Sequence, residues 1–90
     1  MTKSDIINKI KSLFKEYERD DFGFFYGRSF PITHNYITYD VLDIVDDEED
    51  GIIVNCVSRS NFGLRQLYLN DLSTKTINKI LNKIEESLEE

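Results

Sequence analysis

Apolar residues recur along this chain with a helical period at both ends and an alternating period between them. Near the C-terminus, Ile77, Ile80, Leu81, Ile84 and Leu88 fall on one helical stripe. Ser73 precedes the stripe and is a good N-cap, since its hydroxyl can accept from an unpaired N–H of the first turn. With that cap, Leu72 and Ile77 occupy the N′ and N4 positions of a hydrophobic staple. At the N-terminus, Ser4 is expected to cap a helix of about 15 residues. Its apolar face comprises Ile6, Ile7, Ile10, Leu13, Phe14 and Tyr17, with Lys11, Lys15 and Arg19 on the solvent side. The cluster ERDD and then Gly23 are expected to end it.

Between the helices the period falls to two. FGFFYGRSFPI, residues 22–32, carries Gly23, Gly27 and Pro31 too closely for a helix and reads as extended or irregular. YITYDVLDIV, residues 36–45, reads as a strand rich in β-branched and aromatic residues. Ile37, Tyr39 and Val41 alternate on one face, but Leu42 and Ile44 fall on the other, which calls for a bulge or for burial of both faces. DDEEDG is a turn ending in a Gly suited to positive φ. IIVNCVS is the next strand, with Ile52, Val54 and Cys56 inward and Asn55 outward. RSNFG is a second turn, and LRQLYLN is the last strand before the helix. Consecutive strands joined by short turns predict an antiparallel meander. The expected fold is α+β and two-layered: a three- to four-stranded meander flanked by N- and C-terminal helices packed on one sheet face.

Ninety residues suit one domain, residues 1–90, with little core to spare. An apolar content of 40% with 31% charged residues argues against wholesale disorder. No apolar run approaches the roughly 20 residues of a membrane helix. MTKSDIINKIK is too polar for a signal-peptide core. The single cysteine, Cys56, forms no intrachain disulfide. A cytoplasmic location is the default expectation.

The net charge of −6 is unevenly spread. Between Tyr36 and Ser58 lie Asp40, Asp43, Asp46, Asp47, Glu48, Glu49 and Asp50, with no Lys or Arg. Glu85, Glu86, Glu89 and Glu90 close the chain, and the helical segments carry most of the lysines. Such a protein is repelled by free nucleic acid and anionic membrane and attracted to basic protein surfaces. Asp46, Glu48, Asp50 and Gly51 loosely follow the start of an EF-hand loop, but its twelfth position, a bidentate Glu in that motif, is Val57. The acids also resemble a phosphate backbone in density. Asp40 and Asp43 differ by three, so on a regular strand they point to opposite faces and form a charge block rather than a ruler. The plain alternative is a solvated, solubilising turn.

Phe22, Phe24, Phe25, Tyr26 and Phe30 place five aromatics within nine residues. They either close the end of the core or, beside Arg28, anchor a protein interface. Lys75, Lys79 and Lys83 form an i, i+4, i+8 stripe on the expected outward side of the last helix. That stripe and the helix–strands–helix order are similar in outline to double-stranded-RNA-binding domains, which implies an alternative role in RNA or DNA binding. Those domains have a tight basic cluster at the start of their second helix, where this chain has STKTINK. For catalysis there is only His34, a mid-strand Cys56, and no nucleophile elbow, Gly-rich phosphate loop or zinc spacing. The chain is therefore not expected to be an enzyme, nor to use a metal or cofactor.

In size and charge it resembles the small acidic inhibitors of phages and mobile elements (anti-CRISPR proteins) and toxin-neutralising partners. The resemblance implies binding to a nucleic-acid-handling protein with a basic groove. The expected contact residues are Asp43, Asp46, Asp47, Glu48, Glu49 and Asp50, with Phe24, Phe25, Tyr26 and Arg28 as anchors. A homodimer burying the aromatic segment is a further expectation to test.

Overall fold

The computed structural model describes residues 1–89; Glu90, among the C-terminal acids above, lies outside them. The element order is α1 (Lys3–Glu16), β1 (Asp21–Gly23), β2 (Phe30–His34), β3 (Ile37–Asp47), β4 (Gly51–Ser58), β5 (Leu64–Tyr68), a short 3-10 turn (Leu69–Asp71) and α2 (Thr74–Leu88). All strand pairs are antiparallel, and β3, β4 and β5 follow in sequence across the sheet. Both helices lie side by side on one sheet face. The expected α+β architecture is the one observed, with five strands in place of three or four.

The extra strand arises because one edge is split. β1 pairs with the C-terminal half of β3 and β2 with its N-terminal half, so the chain leaves the edge after Phe24 and rejoins it at Phe30. Where it leaves, β3 carries a bulge between Val41 and Asp43. The bulged Leu42 carbonyl is satisfied by the Phe24 N–H at 2.7 Å. One extra residue restores the alternation: Tyr39, Val41 and Ile44 all face the helices and are buried. The mismatched pattern of β3 is thus resolved by a bulge, not by equal burial of both faces.

The core joins these side chains to Ile52, Val54 and Cys56 of β4, Leu67 and Leu69, and the stripes Ile6, Ile7, Ile10, Phe14 and Ile77, Ile80, Leu81, Ile84. Phe14 and Phe22 pack with ring centroids 4.7 Å apart, and Phe24 meets Phe30 edge to face at 5.0 Å. Such pairs add roughly 0.5–1.5 kcal/mol beyond their area. Tyr17, expected on the buried face of α1, is instead exposed beyond the helix end.

Ser73 caps α2 as expected, its hydroxyl accepting from the Thr76 N–H at 3.2 Å. Leu72 and Ile77 are both fully buried, as a staple requires. The cap of α1 is not Ser4. Thr2 accepts from the Asp5 N–H, and the Asp5 carboxylate accepts from the Thr2 N–H, completing a capping box two residues earlier. Neither does Gly23 end this helix. Glu18 takes a left-handed conformation (φ 50°), and the Arg19 N–H returns to the Phe14 carbonyl at 2.9 Å, as in a Schellman ending. Replacing Thr2→Ala should cost about 1 kcal/mol in thermal or urea unfolding. Ser4→Ala should stay within about 0.5 kcal/mol; equal losses would reject the assignment of the cap.

Candidate functional site

The seven lysines all lie in α1 and α2, whereas the chain between the helices carries eleven acids against four arginines. The two layers therefore differ in charge. The helix-free sheet face presents Asp40, Asp43 and Asp47 from β3 among Leu42, Val45, Ile53, Val57, Leu64 and Tyr68. This face is more apolar than a single-sided sheet requires, and Ile53 is largely buried on it.

At its centre the Asp43 carboxylate accepts from the Asn55 amide at 2.6 Å. Toward one end, Arg59 grips Asp40 with both its Nε and a terminal nitrogen, the closest contact being 2.8 Å. Those hydrogen bonds hold the Asp40 carboxyl below the usual carboxylate range. The Thr2 hydrogen bonds do the same for Asp5. Both groups have depressed folded-state values, so their stabilisation is present above the ordinary carboxylate range and is lost as pH falls through the folded values. Acid titration of the wild-type protein should therefore show a loss of stability that Asp40→Asn removes in part.

The acidic turn stands at the opposite end of the sheet from Arg59. Asp47 is half-buried, and its Oδ1 accepts from the Glu49 and Asp50 N–H groups at 2.8 and 3.2 Å, so it shapes the turn. Glu48, Glu49 and Asp50 project into solvent, and Gly51 supplies the positive φ (79°) that ends the turn. Asp46 points to the helix side, near Lys11, Lys15 and Arg19. The chain enters β4 at Gly51 where an EF-hand would continue to its later ligands. Among the described residues no group of three or more His, Cys, Asp or Glu is placed to hold a metal ion.

The aromatic cluster divides. Phe22, Phe24 and Phe30 are core, and Phe24, expected as an anchor, is only 3% exposed. Phe25 is half-exposed and lies across Gly23, where an added Cβ would meet its ring at 3.3 Å. Together with Leu42, Asp43, Asn55, Leu64 and Gln66 it lines a shallow groove across the open face. Tyr26 and Gly27 both have positive φ (57° and 85°), and the Arg28 N–H donates to the Phe25 carbonyl at 3.3 Å, giving a type I′ turn. This turn throws Tyr26 fully into solvent beside Arg28.

Two further exposed aromatics carry no signal in the apolar periodicity. Tyr36 is the second residue of the two-residue Asn35–Tyr36 turn between β2 and β3, at φ 66°. Phe62, at φ 57°, sits in the β4–β5 turn, where its N–H returns to the Ser58 carbonyl at 2.8 Å. Tyr36 is fully exposed and Phe62 is 81% exposed. Pairing of β3 with β4 puts both turns at one end of the sheet, beside Leu64. HNYI and SNFG hint at turns through their Asn residues, but nothing in them says which aromatic takes the left-handed position.

The lysine stripe runs along one flank of α2, with Lys75 and Lys79 exposed and Lys83 half-buried. Lys79 donates to the Pro31 carbonyl of β2, and Lys83 sits 5.9 Å from the centre of the Phe30 ring. The stems run along the seam between α2 and β2, burying methylenes while the charges reach its rim. Lys75 lines the same seam with Thr33 and Thr38. Cys56 is buried, its Sγ 3.6 Å from the Arg65 carbonyl, and desolvation pushes its thiol up to about 11. His34 stands opposite Ile37 and Cys56 opposite Val41, four residues apart along β3. At about 3.3 Å per residue they are not brought together.

Comparison with protein-family models, curated proteins and solved structures finds no match to this chain. The functional reading therefore rests on its own geometry.

Native Cys56 should react with a disulfide reagent only through unfolding, so its rate should rise with urea in step with the unfolded fraction. Prompt reaction of the folded protein would place this thiol outside the core. Tyr36→Gly, which supplies the Asn-Gly pair preferred by such a turn, should leave stability unchanged or raise it by up to about 1 kcal/mol. A clear loss in thermal unfolding would mean that the ring supports the fold.

Proposed function

We propose that this chain is a non-enzymatic protein-binding module whose contact surface is the helix-free sheet face and the turns around it. The observation that carries the reading is the placement of Tyr26, Tyr36 and Phe62, three large rings held in solvent at left-handed positions. A left-handed residue with a Cβ costs roughly 1–2 kcal/mol relative to glycine-like geometry. An exposed ring returns none of that cost through burial in this chain. Binding supplies the return, because aromatics and arginine concentrate the energy of protein interfaces.

The charge distribution supports one kind of partner. The acidic turn and the carboxylates of β3 suit a protein with a basic surface, which they would steer into encounter. A nucleic-acid-handling protein with a basic groove fits that requirement. The module would act as its inhibitor or regulator, in the manner of an anti-CRISPR protein or an antitoxin. Phe25, Tyr26 and Arg28 would anchor one side of the contact, and Glu48, Glu49 and Asp50 would govern association. Asp43 and Asp47, which hold Asn55 and the turn, would shape the surface. Direct binding of RNA or DNA has less support, because Lys79 and Lys83 are partly engaged by Pro31 and Phe30 of β2 and the net charge is −6.

Once a partner is captured from host lysate, the triple change Glu48→Lys, Glu49→Lys, Asp50→Lys tests the electrostatic part. It leaves Asp47 to hold the turn. Affinity should fall about tenfold or more and its salt dependence should flatten, chiefly through slower association. An affinity within about twofold of wild type would reject the acidic surface as a contact.

A further inference from the structure

The sheet has two edges, and they differ. On the β2 edge, Pro31 removes an N–H and Lys79 occupies the Pro31 carbonyl, two devices that discourage strand addition. The β5 edge, LRQLY, has neither a proline nor a lysine, and its one charge, Arg65, lies on the helix side of the sheet opposite Cys56. Its backbone polarity follows from the ladder: the Ser58 N–H donates to the Gly63 carbonyl, so alternation turns Arg65 and Leu67 toward β4. Leu64, Gln66 and Tyr68 accordingly point their N–H and C=O groups outward. The same three residues direct their side chains to the open face, where Leu64 is 77% exposed and Tyr68 half-exposed.

We infer that β5 is a homodimerisation edge, pairing antiparallel with β5 of a second copy about a two-fold axis at Gln66. This goes beyond the partner-binding reading and does not rest on it. The segment is self-complementary about that axis. Gln66 meets its own counterpart, and Leu64 of each copy stands opposite Tyr68 of the other. The aliphatic–aromatic pair occurs twice, each pairing the kind that stabilises neighbouring strands. The outward groups of the three residues exchange hydrogen bonds in both directions, and the two sheets become continuous.

Charge favours this partner over a shifted one. The Leu64 end of β5 lies next to Arg59 and Arg65, whereas the Tyr68 end lies toward the acidic β3–β4 turn. Arg59 is already engaged by Asp40, which leaves Arg65 as the cation to offer. Antiparallel pairing brings the basic end of one copy toward the acidic end of the other, about two strand spacings across and three residues along, or roughly 14 Å away. It also keeps the two acidic turns at opposite ends of the dimer. A five-residue strand and its flanking turns make a small interface, so association should be concentration-dependent. The open face doubles in extent and remains uncovered.

Light scattering and sedimentation of the purified full chain should show a dimer that dissociates on dilution. Gln66→Lys, which sets two ammonium groups face to face at the axis, should shift it to monomer without lowering its melting temperature at low concentration. Gln66→Cys tests register independently, because paired residues lie within the roughly 4.4–6.8 Å Cα separation of a disulfide. Under mild oxidation it should give a covalent dimer, and buried Cys56 should not contribute. Leu64→Cys alone should not crosslink, its counterpart being four residues (about 13 Å) out of register. Mixed Leu64→Cys and Tyr68→Cys chains should. A wild-type chain that stays monomeric at the highest soluble concentration overturns the inference. So does a dimer that survives Gln66→Lys or fails to crosslink at position 66. Strand addition by a different protein to a monomeric chain would likewise reject the second copy as occupant.

Discussion

An eleven-residue strand with apolar residues at 39, 41, 42 and 44 can face one core only if its alternation is corrected part-way. The bulge at Leu42 makes that correction, and much of the remaining structure follows from it. Val41 and Ile44 both reach the helices, and β4 keeps register on either side of the extra residue. On the other flank of β3, the edge strand breaks at the same level. Phe24 satisfies the Leu42 carbonyl, and the chain then leaves the sheet until Phe30. The excursion that carries Phe25, Tyr26 and Arg28 is thus tied to the device that completes the core.

Burial and charge then divide the molecule into two unlike layers. The helices hold the lysines and hide their apolar stripes. The sheet exposes acids, a partly apolar face and aromatic turn tips. For stability alone this is a poor use of large side chains, since glycine or asparagine would serve the left-handed positions better. Natural proteins depart from local preference chiefly at functional or strained sites. Here the departures lie at the sheet's margin, where a partner would approach.

Much of this was legible in the sequence. The stripes of both helices (Tyr17 excepted), the Ser73 cap and the order of β3, β4 and β5 followed from periodicity and turn chemistry, and the bulge was one of two readings that the pattern of β3 left open. The cap of α1 was misplaced because Thr2 and Ser4 are both capable, and only the reciprocal Asp5 contact decides between them. That the lysine stripe borders β2 was not legible, because i, i+4, i+8 spacing defines a face without saying what packs beside it. Splitting of the aromatic cluster depended on where the chain leaves the β3 edge, a long-range fact. Tyr36 and Phe62 were missed because a ring in a turn has no periodic neighbours to reveal its direction.

The central claim is that the exposed rings serve recognition. Its most direct test is affinity capture from nuclease-treated host lysate, comparing wild type with the double variant Tyr36→Gly, Phe62→Gly. The account predicts one stoichiometric protein partner on the wild-type chain, lost from a variant that is at least as stable. Equal capture by both, or partners that disappear with nuclease treatment, would contradict it.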